Sequence, residues 1–289
     1  MKPDLRDVTV CAADTVAPEL AARALELCLD RAEFGDAILF SDRPVTGRFR
    51  TVAIPTMGSI GAYSRFCLAE MPRHIATDFA LVVQWDGYIV HPEVWTDEFR
   101  AYDYVGAPFV MRGGDLLMGN GGFSWRSRKL LDAIPRLPFQ RGVNEDMVIC
   151  HFQRQHLETH FGIRYAPTAL ADRFAQDREH PPFPSFGFHG ASNFLRYEDE
   201  RTVLDIFERA GAGVFNTWAV FTLMLTAATE PRTRAAGVAL YRLARRYQTE
   251  NRLAKEMAKA MEFPLDRARH NVAVMEQYLR QQDAGVALP

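Results

Sequence analysis

The first third of the chain alternates between short apolar runs and segments in which apolar residues recur three and four positions apart. The second kind of spacing predicts amphipathic helices over 18–29 and 60–71. The apolar runs predict strands at residues 8–13, 37–40, 51–54 and 79–83. This β-α-β-β-α-β order predicts an α/β fold, Rossmann-like, with a mostly parallel sheet flanked by helices.

From Arg201 onward the pattern becomes helical throughout, and no strand is indicated. The helical segments are 203–210, 214–226, 234–247, 252–261 and 265–281. We therefore expect an α/β domain over residues 1–200 and a helical C-terminal region over 201–289.

The bulk composition is that of an ordinary globular protein. Of the 289 residues 24% are charged, and the formal net charge is −2, so there is no basic excess of the kind that a nucleic-acid-binding protein needs. The four cysteines are far apart in apolar stretches, which predicts reduced, buried thiols and a cytoplasmic protein. No signal sequence is visible, and the apolar run 214–228 is too short to span a bilayer, so we expect no transmembrane segment.

Polar residues follow three of the predicted strands directly. Asp14 follows the first strand, Ser41 and Asp42 follow the second, and Asp86 comes shortly after the fourth. Ligands of parallel sheets bind beyond the carboxyl ends of the strands. These positions are therefore the first candidates for a binding site.

The segment Gln84-Trp-Asp-Gly87 places one carboxylate, Asp86, at the end of a buried strand. A carboxylate there suits a hard divalent cation that bridges diphosphate oxygens. Gly87 lets a ligand or another chain segment approach the backbone closely. The alternative is that Asp86 only caps a turn.

Three further segments carry candidate chemistry, each with an ordinary structural alternative. Asn120, Gly121 and Gly122 form a loop that can border a sugar or phosphate, or merely a hairpin turn. Glu145 and Asp146 can supply a general base, or merely complement a helix dipole.

The last of these three segments is Phe186-Gly-Phe-His-Gly190, where a histidine lies between aromatic residues and glycines. His189 can complete a metal site from far along the chain. A lone histidine of this kind is more often structural.

Taken in order, these segments resemble a family of GT-A-like glycosyltransferases of bacteria and fungi that is catalogued as DUF5672. The resemblance covers roughly residues 5–197. The segments that carry it are Gln84–Trp95, Tyr102–Pro108, Gly119–Ser124, Glu145–Asp146 and Phe188–Gly190.

The resemblance implies roles for individual residues. Asp86 corresponds to the last acid of the metal-binding DxD motif, whose first acid is replaced here by Gln84. His189 corresponds to a distal histidine ligand of the metal, Mn²⁺ or Mg²⁺. Asp146 corresponds to the base of inverting members, with Glu145 orienting it or binding sugar.

The resemblance also implies partners: a nucleotide-sugar donor, with a UDP-sugar favoured, and a glycan or other hydroxyl acceptor. It suggests a place in bacterial glycan biosynthesis, in the cytoplasm or at the inner face of the membrane. A nucleotidyltransferase and a catalytically inactive nucleotide- or glycan-binding module remain alternatives. Three roles are open for the helical region: a homodimer interface, recognition of the acceptor, or contact with a partner enzyme.

Overall fold

The protein is described by a computed structural model over residues 2–110, 116–138, 142–178 and 182–286. The strands in these ranges are β1 Asp4–Ala13, β2 Glu33–Ser41, β3 Arg50–Ala53, β4 Phe79–Val83, β5 Gly87–Ile89, β6 Tyr104–Gly106, β7 Pro108–Val110, β8 Leu116–Met118, β9 Phe123–Ser127, β10 Ala175–Gln176 and β11 Gly187–His189. The helices are α1 Pro18–Leu29, α2 Ile60–Ala69, α3 Arg128–Ala133, α4 Glu145–Met147, α5 Arg154–Phe161, α6 Thr168–Phe174, α7 Phe194–Tyr197, α8 Glu200–Ala210, α9 Trp218–Thr229, α10 Arg234–Tyr247, α11 Glu250–Met261 and α12 Leu265–Asp283.

The central sheet has six strands in the order β3-β2-β1-β4-β9-β6. Strands β1 to β4 pair in parallel, whereas β9 runs antiparallel to both of its neighbours. Two small sheets, β10-β11-β5 and β7-β8, accompany it. The predicted α/β class, with a mostly parallel sheet flanked by helices, is confirmed.

The hydrophobic pattern explains why the centre of the sheet forms where it does. Residues 80–83 of β4 are at most 1% exposed, as a strand covered on both faces requires. Helix α1 has the predicted bounds, begins with Pro18 in its first turn, where the missing N–H costs nothing, and buries one apolar face.

Parallel pairing brings the carboxyl ends of the first four strands to one edge of the sheet. The loops beyond them are joined to each other. The Thr15 hydroxyl accepts from the Met57 amide at 2.9 Å, and the Thr56 hydroxyl donates to Asp42 at 2.8 Å. The strand-end residues singled out in the sequence therefore share this edge.

The chain divides into two compact units, Met1–Gly190 and Ala191–Pro289. The sequence pattern places the boundary ten residues later, because α7 is one turn long and carries no periodic signal. In the second unit the described residues form helices α7 to α12 and short turns.

One helix of the second unit starts later than its apolar pattern predicts. Helix α9 begins at Trp218 rather than Val214, because Thr217 caps it by accepting from the Val220 amide, and residues 212–214 form a separate 3₁₀ turn. None of the helices in the described part of the chain combines the length and the hydrophobicity needed to cross a membrane.

Candidate functional site

The first element of the site is the tight turn between β4 and β5. The Gly87 amide donates to the Gln84 carbonyl at 3.1 Å, and this turn carries Asp86. A Cβ atom on Gly87 would stand 2.8 Å from the Phe188 carbonyl oxygen, so a glycine is needed for β11 to pair with β5 here.

Strand β11 brings His189 to Asp86 from 103 positions further along the chain. His189 pairs in register with Gly87, and the Gly190 amide donates to the Asp86 carbonyl at 2.9 Å. The imidazole Nε2 lies 3.5 Å from Asp86 Oδ1 and 3.1 Å from Gln84 Oε1. The structure thus brings together the residues that the sequence predicts as a metal site.

The amide of Gln84 has a defined orientation. Its Nε2 donates to the hydroxyl of Tyr63 at 2.9 Å, which turns Oε1 toward His189. Gln84 therefore presents an oxygen at the position of the missing first acid.

The glycine loop lies directly against the imidazole. A Cβ atom on Gly122 would stand 2.1 Å from His189 Nε2, so no larger residue fits without moving the ring. The Gly122 amide donates to the side-chain carbonyl of Asn120 at 2.8 Å, and its carbonyl accepts from the Gln84 amide at 2.8 Å. The loop is thereby fixed to the turn between β4 and β5 that carries Asp86.

The same loop contacts the predicted base. Asp146, in the short helix α4, accepts from the amide of Gly121 at 3.1 Å and from that of Met147 at 2.7 Å. Burial, together with the neighbouring charge of Glu145, raises the pKa of Asp146 to about 7. A carboxyl with such a pKa takes up a proton readily at neutral pH.

Glu145 has different surroundings from its neighbour. Its carboxylate lies 3.3 Å from Nη2 of Arg126, a side chain with no exposed surface, whose Nε donates to the Ser124 hydroxyl at 3.1 Å. Glu145 is itself 4% exposed. It faces the protein interior as the counter-ion of Arg126.

Asp14 is engaged in the backbone of the loop after β1. Its Oδ1 accepts from the amides of Val16 and Ala17 at 2.7 and 2.8 Å, and so supports the approach to α1. Burial raises the pKa of Asp14 despite these hydrogen bonds, and the nearby charge of Asp86 raises it further.

Ser41 and Asp42 likewise have partners within the protein. The Ser41 hydroxyl is buried and accepts from the Arg43 amide at 3.2 Å, and Asp42 lies 3.2 Å from the guanidinium of Arg43. The predicted nucleotide contacts of these residues and of Asp14 stay predictions.

The structure adds three residues that the sequence did not suggest: Tyr63, Arg126 and Asp177. Asp177 lies beside His189, with Oδ1 at 3.6 Å from Nδ1, a charge contact longer than a hydrogen bond. Its only sequence signal is that it follows a strand, but β10 has two residues and leaves no pattern. Strand β9 reads Phe-Ser-Trp-Arg-Ser, so no apolar pattern indicates that Arg126 is buried.

The charge of His189 follows from these neighbours. Burial opposes the protonated ring, but the carboxylates of Asp86 and Asp177 outweigh it and raise the pKa of His189 well above its ordinary value. The side chains of Asp86, Asp177 and His189 are between 11 and 18% exposed, so each keeps a small surface that a ligand can reach.

Solved structures with a similar arrangement include the galactosyltransferase LgtC in complex with donor and acceptor sugar analogues, at 14% identity. The match covers 70% of this chain and 95% of LgtC, with a TM-score of 0.40. TarS residues 1–349 from S. aureus match at 12% identity over 99% of this chain and 92% of TarS, with a TM-score of 0.36. A197 from STIV matches at 12% identity over 57% of this chain and 80% of A197, with a TM-score of 0.31.

A search of curated proteins returns no match. The model of the family DUF5672, described as a protein of unknown function, matches residues 47–189. This range holds the turn with Asp86, the glycine loop, Glu145, Asp146 and His189, and the resemblance to DUF5672 is confirmed. Residues 47–189, just under half of the chain, are thus similar to the DUF5672 family.

Proposed function

We propose that the unit Met1–Gly190 is a glycosyltransferase that moves a sugar from a nucleotide-sugar to a hydroxyl acceptor. The observation that carries this proposal is the continuity of the glycine loop. Gly122 contacts the ring of His189, which faces Asp86, while the adjacent Gly121 binds Asp146. A diphosphate-binding pair and a carboxylate base therefore border the same few residues of backbone.

The residues present fit a divalent metal. Two adjacent ligands of an octahedral ion with bonds of about 2.1 Å lie about 3 Å apart. The distances from His189 Nε2 to Gln84 Oε1 and Asp86 Oδ1 are 3.1 and 3.5 Å. The described residues contain no group of three or more His, Cys, Asp or Glu side chains that could hold a metal ion. A Mg²⁺- or Mn²⁺-type site that takes its other ligands from water and substrate phosphates needs none.

Asp86 and His189 would hold this metal, with the oxygen of Gln84 beside them, and His189 would give up its proton when the ion binds. When bound, the ion neutralises part of the charge of the nucleoside diphosphate and makes it a better leaving group. The loop residues Asn120, Gly121 and Gly122 expose backbone on which a sugar ring can pack.

Asp146 serves as the general base of the reaction. The acceptor hydroxyl oxygen forms a bond to the anomeric carbon while the bond from that carbon to the diphosphate oxygen breaks. The bonding electron pair leaves with the nucleoside diphosphate, and the hydroxyl proton passes to the Asp146 carboxylate. A single base opposite the leaving group gives inversion at the anomeric carbon.

The donor that we favour is a UDP-sugar, and the acceptor is a glycan or another hydroxyl compound. Asp14, Ser41 and Asp42 lie at the carboxyl edge of the sheet, where the base and ribose of the nucleotide would bind. We assign no part of the reaction to the helical unit.

Thermal-shift measurements with UDP-, GDP-, CMP- and dTDP-sugars, with and without Mn²⁺, test the binding step. A ligand at a hundred times its dissociation constant should stabilise the fold by about 2.7 kcal/mol. We expect a Mn²⁺-dependent shift with one nucleotide class in the wild type and its loss in Asp86→Ala. Asp266→Asn is the matched control, because that carboxylate is 94% exposed in the other unit.

The outcomes separate the parts of the proposal. A shift that needs Mn²⁺ and Asp86 supports the diphosphate site and identifies the nucleotide. A shift that persists without Mn²⁺ overturns the proposed metal dependence but still supports the donor site. No shift with any nucleotide, with or without Mn²⁺, overturns the transferase.

A further inference from the structure

Asp177 reaches two parts of the site with its two carboxylate oxygens. It follows β10, which pairs in parallel with β11, and its side chain is 11% exposed. Oδ1 lies 3.6 Å from Nδ1 of His189, and Oδ2 accepts from Nδ2 of Asn120 at 3.0 Å. One buried carboxylate thus contacts both the imidazole and the glycine loop.

The imidazole consequently has polar neighbours at both ring nitrogens. Nε2 faces Gln84 and Asp86, and Nδ1 faces Asp177. A rotation of the imidazole would move Nε2 away from the oxygens of Gln84 and Asp86, and Nδ1 away from the oxygen of Asp177. Gly122 closes a third side, where its backbone leaves no room for a Cβ atom.

We propose that Asp177 is a positioning residue, which holds the imidazole of His189 in the orientation that directs Nε2 at the metal and fixes the glycine loop to the same point. The proposal rests on the metal site of the proposed function. Histidine ligands commonly place their second ring nitrogen against a carboxylate, and loss of that carboxylate weakens metal binding about 10- to 100-fold.

The negative charge of Asp177 is needed for the ring and not for the loop. An asparagine at position 177 could still accept a hydrogen bond from Asn120 through its own side-chain oxygen. It would place an uncharged amide beside Nδ1, which is the weaker partner for an imidazole N–H. Asp177→Asn therefore removes the contact to His189 selectively.

The contribution of the loop is tested by Asn120→Ala. This change removes the hydrogen bond from Asn120 to Asp177 and the one that Asn120 accepts from the Gly122 amide, and it leaves the carboxylate facing His189. If the carboxylate acts on the ring, this variant should bind metal more tightly than Asp177→Asn does.

The test is the dissociation constant of Mn²⁺, measured by the electron paramagnetic resonance signal of free Mn²⁺ on the full chain, alone and with UDP. We expect about 10- to 100-fold weaker binding in Asp177→Asn, with the melting temperature of the protein retained. We also expect excess Mn²⁺ to restore turnover in this variant, which a merely misfolded site would not show.

Two results overturn this inference alone: Mn²⁺ affinity in Asp177→Asn within twofold of the wild type, or an equal loss in Asn120→Ala. If the wild type binds no Mn²⁺, or if Asp86→Ala binds it as well as the wild type does, the metal site of the proposed function fails together with the inference. The comparison of Asp86→Ala with Asp177→Asn therefore distinguishes the two failures.

Discussion

The backbone of Gly122 lies against the ring of His189, where a Cβ atom would stand 2.1 Å from Nε2. Two residues 67 positions apart thus define one surface of the site. The glycine is required here by the space that the imidazole occupies and not by an unusual backbone angle, since its φ is not in the left-handed region.

Substitution of Gly122 by alanine should therefore displace the imidazole. Displacement of a binding group by about 1 Å can reduce turnover about 100-fold. We expect a loss of this order in nucleotide-sugar turnover, with the melting temperature of the protein little changed. Gly213→Ala is the matched control, because nothing lies within 4 Å of the added Cβ atom there. Wild-type turnover in Gly122→Ala would show that the position of the His189 imidazole does not matter for the reaction.

The ionisation of Asp146 should appear in the pH dependence of turnover. Burial, and next the charge of Glu145, raises its pKa to about 7, and only the ionised carboxylate accepts a proton. We expect kcat/KM to reach a plateau above about pH 8 and to fall to about a tenth of it at pH 6. A profile that stays level down to about pH 5 would assign the base to another group.

The same pKa has a consequence for stability. The pKa of Asp146 rises from 3.8, the ordinary value, to about 7 on folding, so the folded state favours the protonated carboxyl. Its contribution to stability is present below about pH 4 and is lost as the pH rises through about 7. Asp146→Asn, which imitates the protonated form, should thus stabilise the protein at pH 8 but not at pH 4. Urea unfolding of both proteins at pH 4 and pH 8 measures this difference in stability. An equal effect of the substitution at the two pH values would contradict the raised pKa of Asp146.

The buried pair of Arg126 and Glu145 should be costly to break. Removal of one partner leaves the other charge buried, which costs about 3–5 kcal/mol. We expect a free energy of unfolding lower by this amount in Arg126→Met, and partial recovery in the double variant Arg126→Met/Glu145→Met. Urea unfolding measures the free energy of unfolding of the single and the double variant. A single variant as stable as the wild type would show that Glu145 has another partner.

Elements that depend on local pattern could be predicted from the sequence. Strand β4 and helices α1 and α10 have the predicted bounds, because apolar runs and amphipathic spacing are local properties. The start of α9 was predicted too early, since Thr217, a capping residue within an apolar run, decides where that helix begins.

The site was predictable only in part. Asp86 and His189 carried signals from strand ends and glycine neighbours, and the structure brings them to 3.5 Å. Asp177 follows a strand of only two residues, and Arg126 lies in a strand without an apolar pattern, so neither stands out in the sequence. The residues alone do not separate Glu145 from Asp146, and only the resemblance assigns the base to Asp146; the structure places Glu145 against Arg126.

The central claim is tested most directly by release of nucleoside diphosphate from a panel of nucleotide-sugars in the presence of Mn²⁺, in the wild type and in Asp146→Asn. We expect the wild type to release the nucleoside diphosphate from the sugars of one nucleotide class. Asp146→Asn should bind that donor equally well but react about 100- to 10,000-fold more slowly, the usual contribution of a general base. Wild-type rates in Asp146→Asn, or no release from any donor with a broad set of hydroxyl acceptors, would contradict the proposed glycosyl transfer.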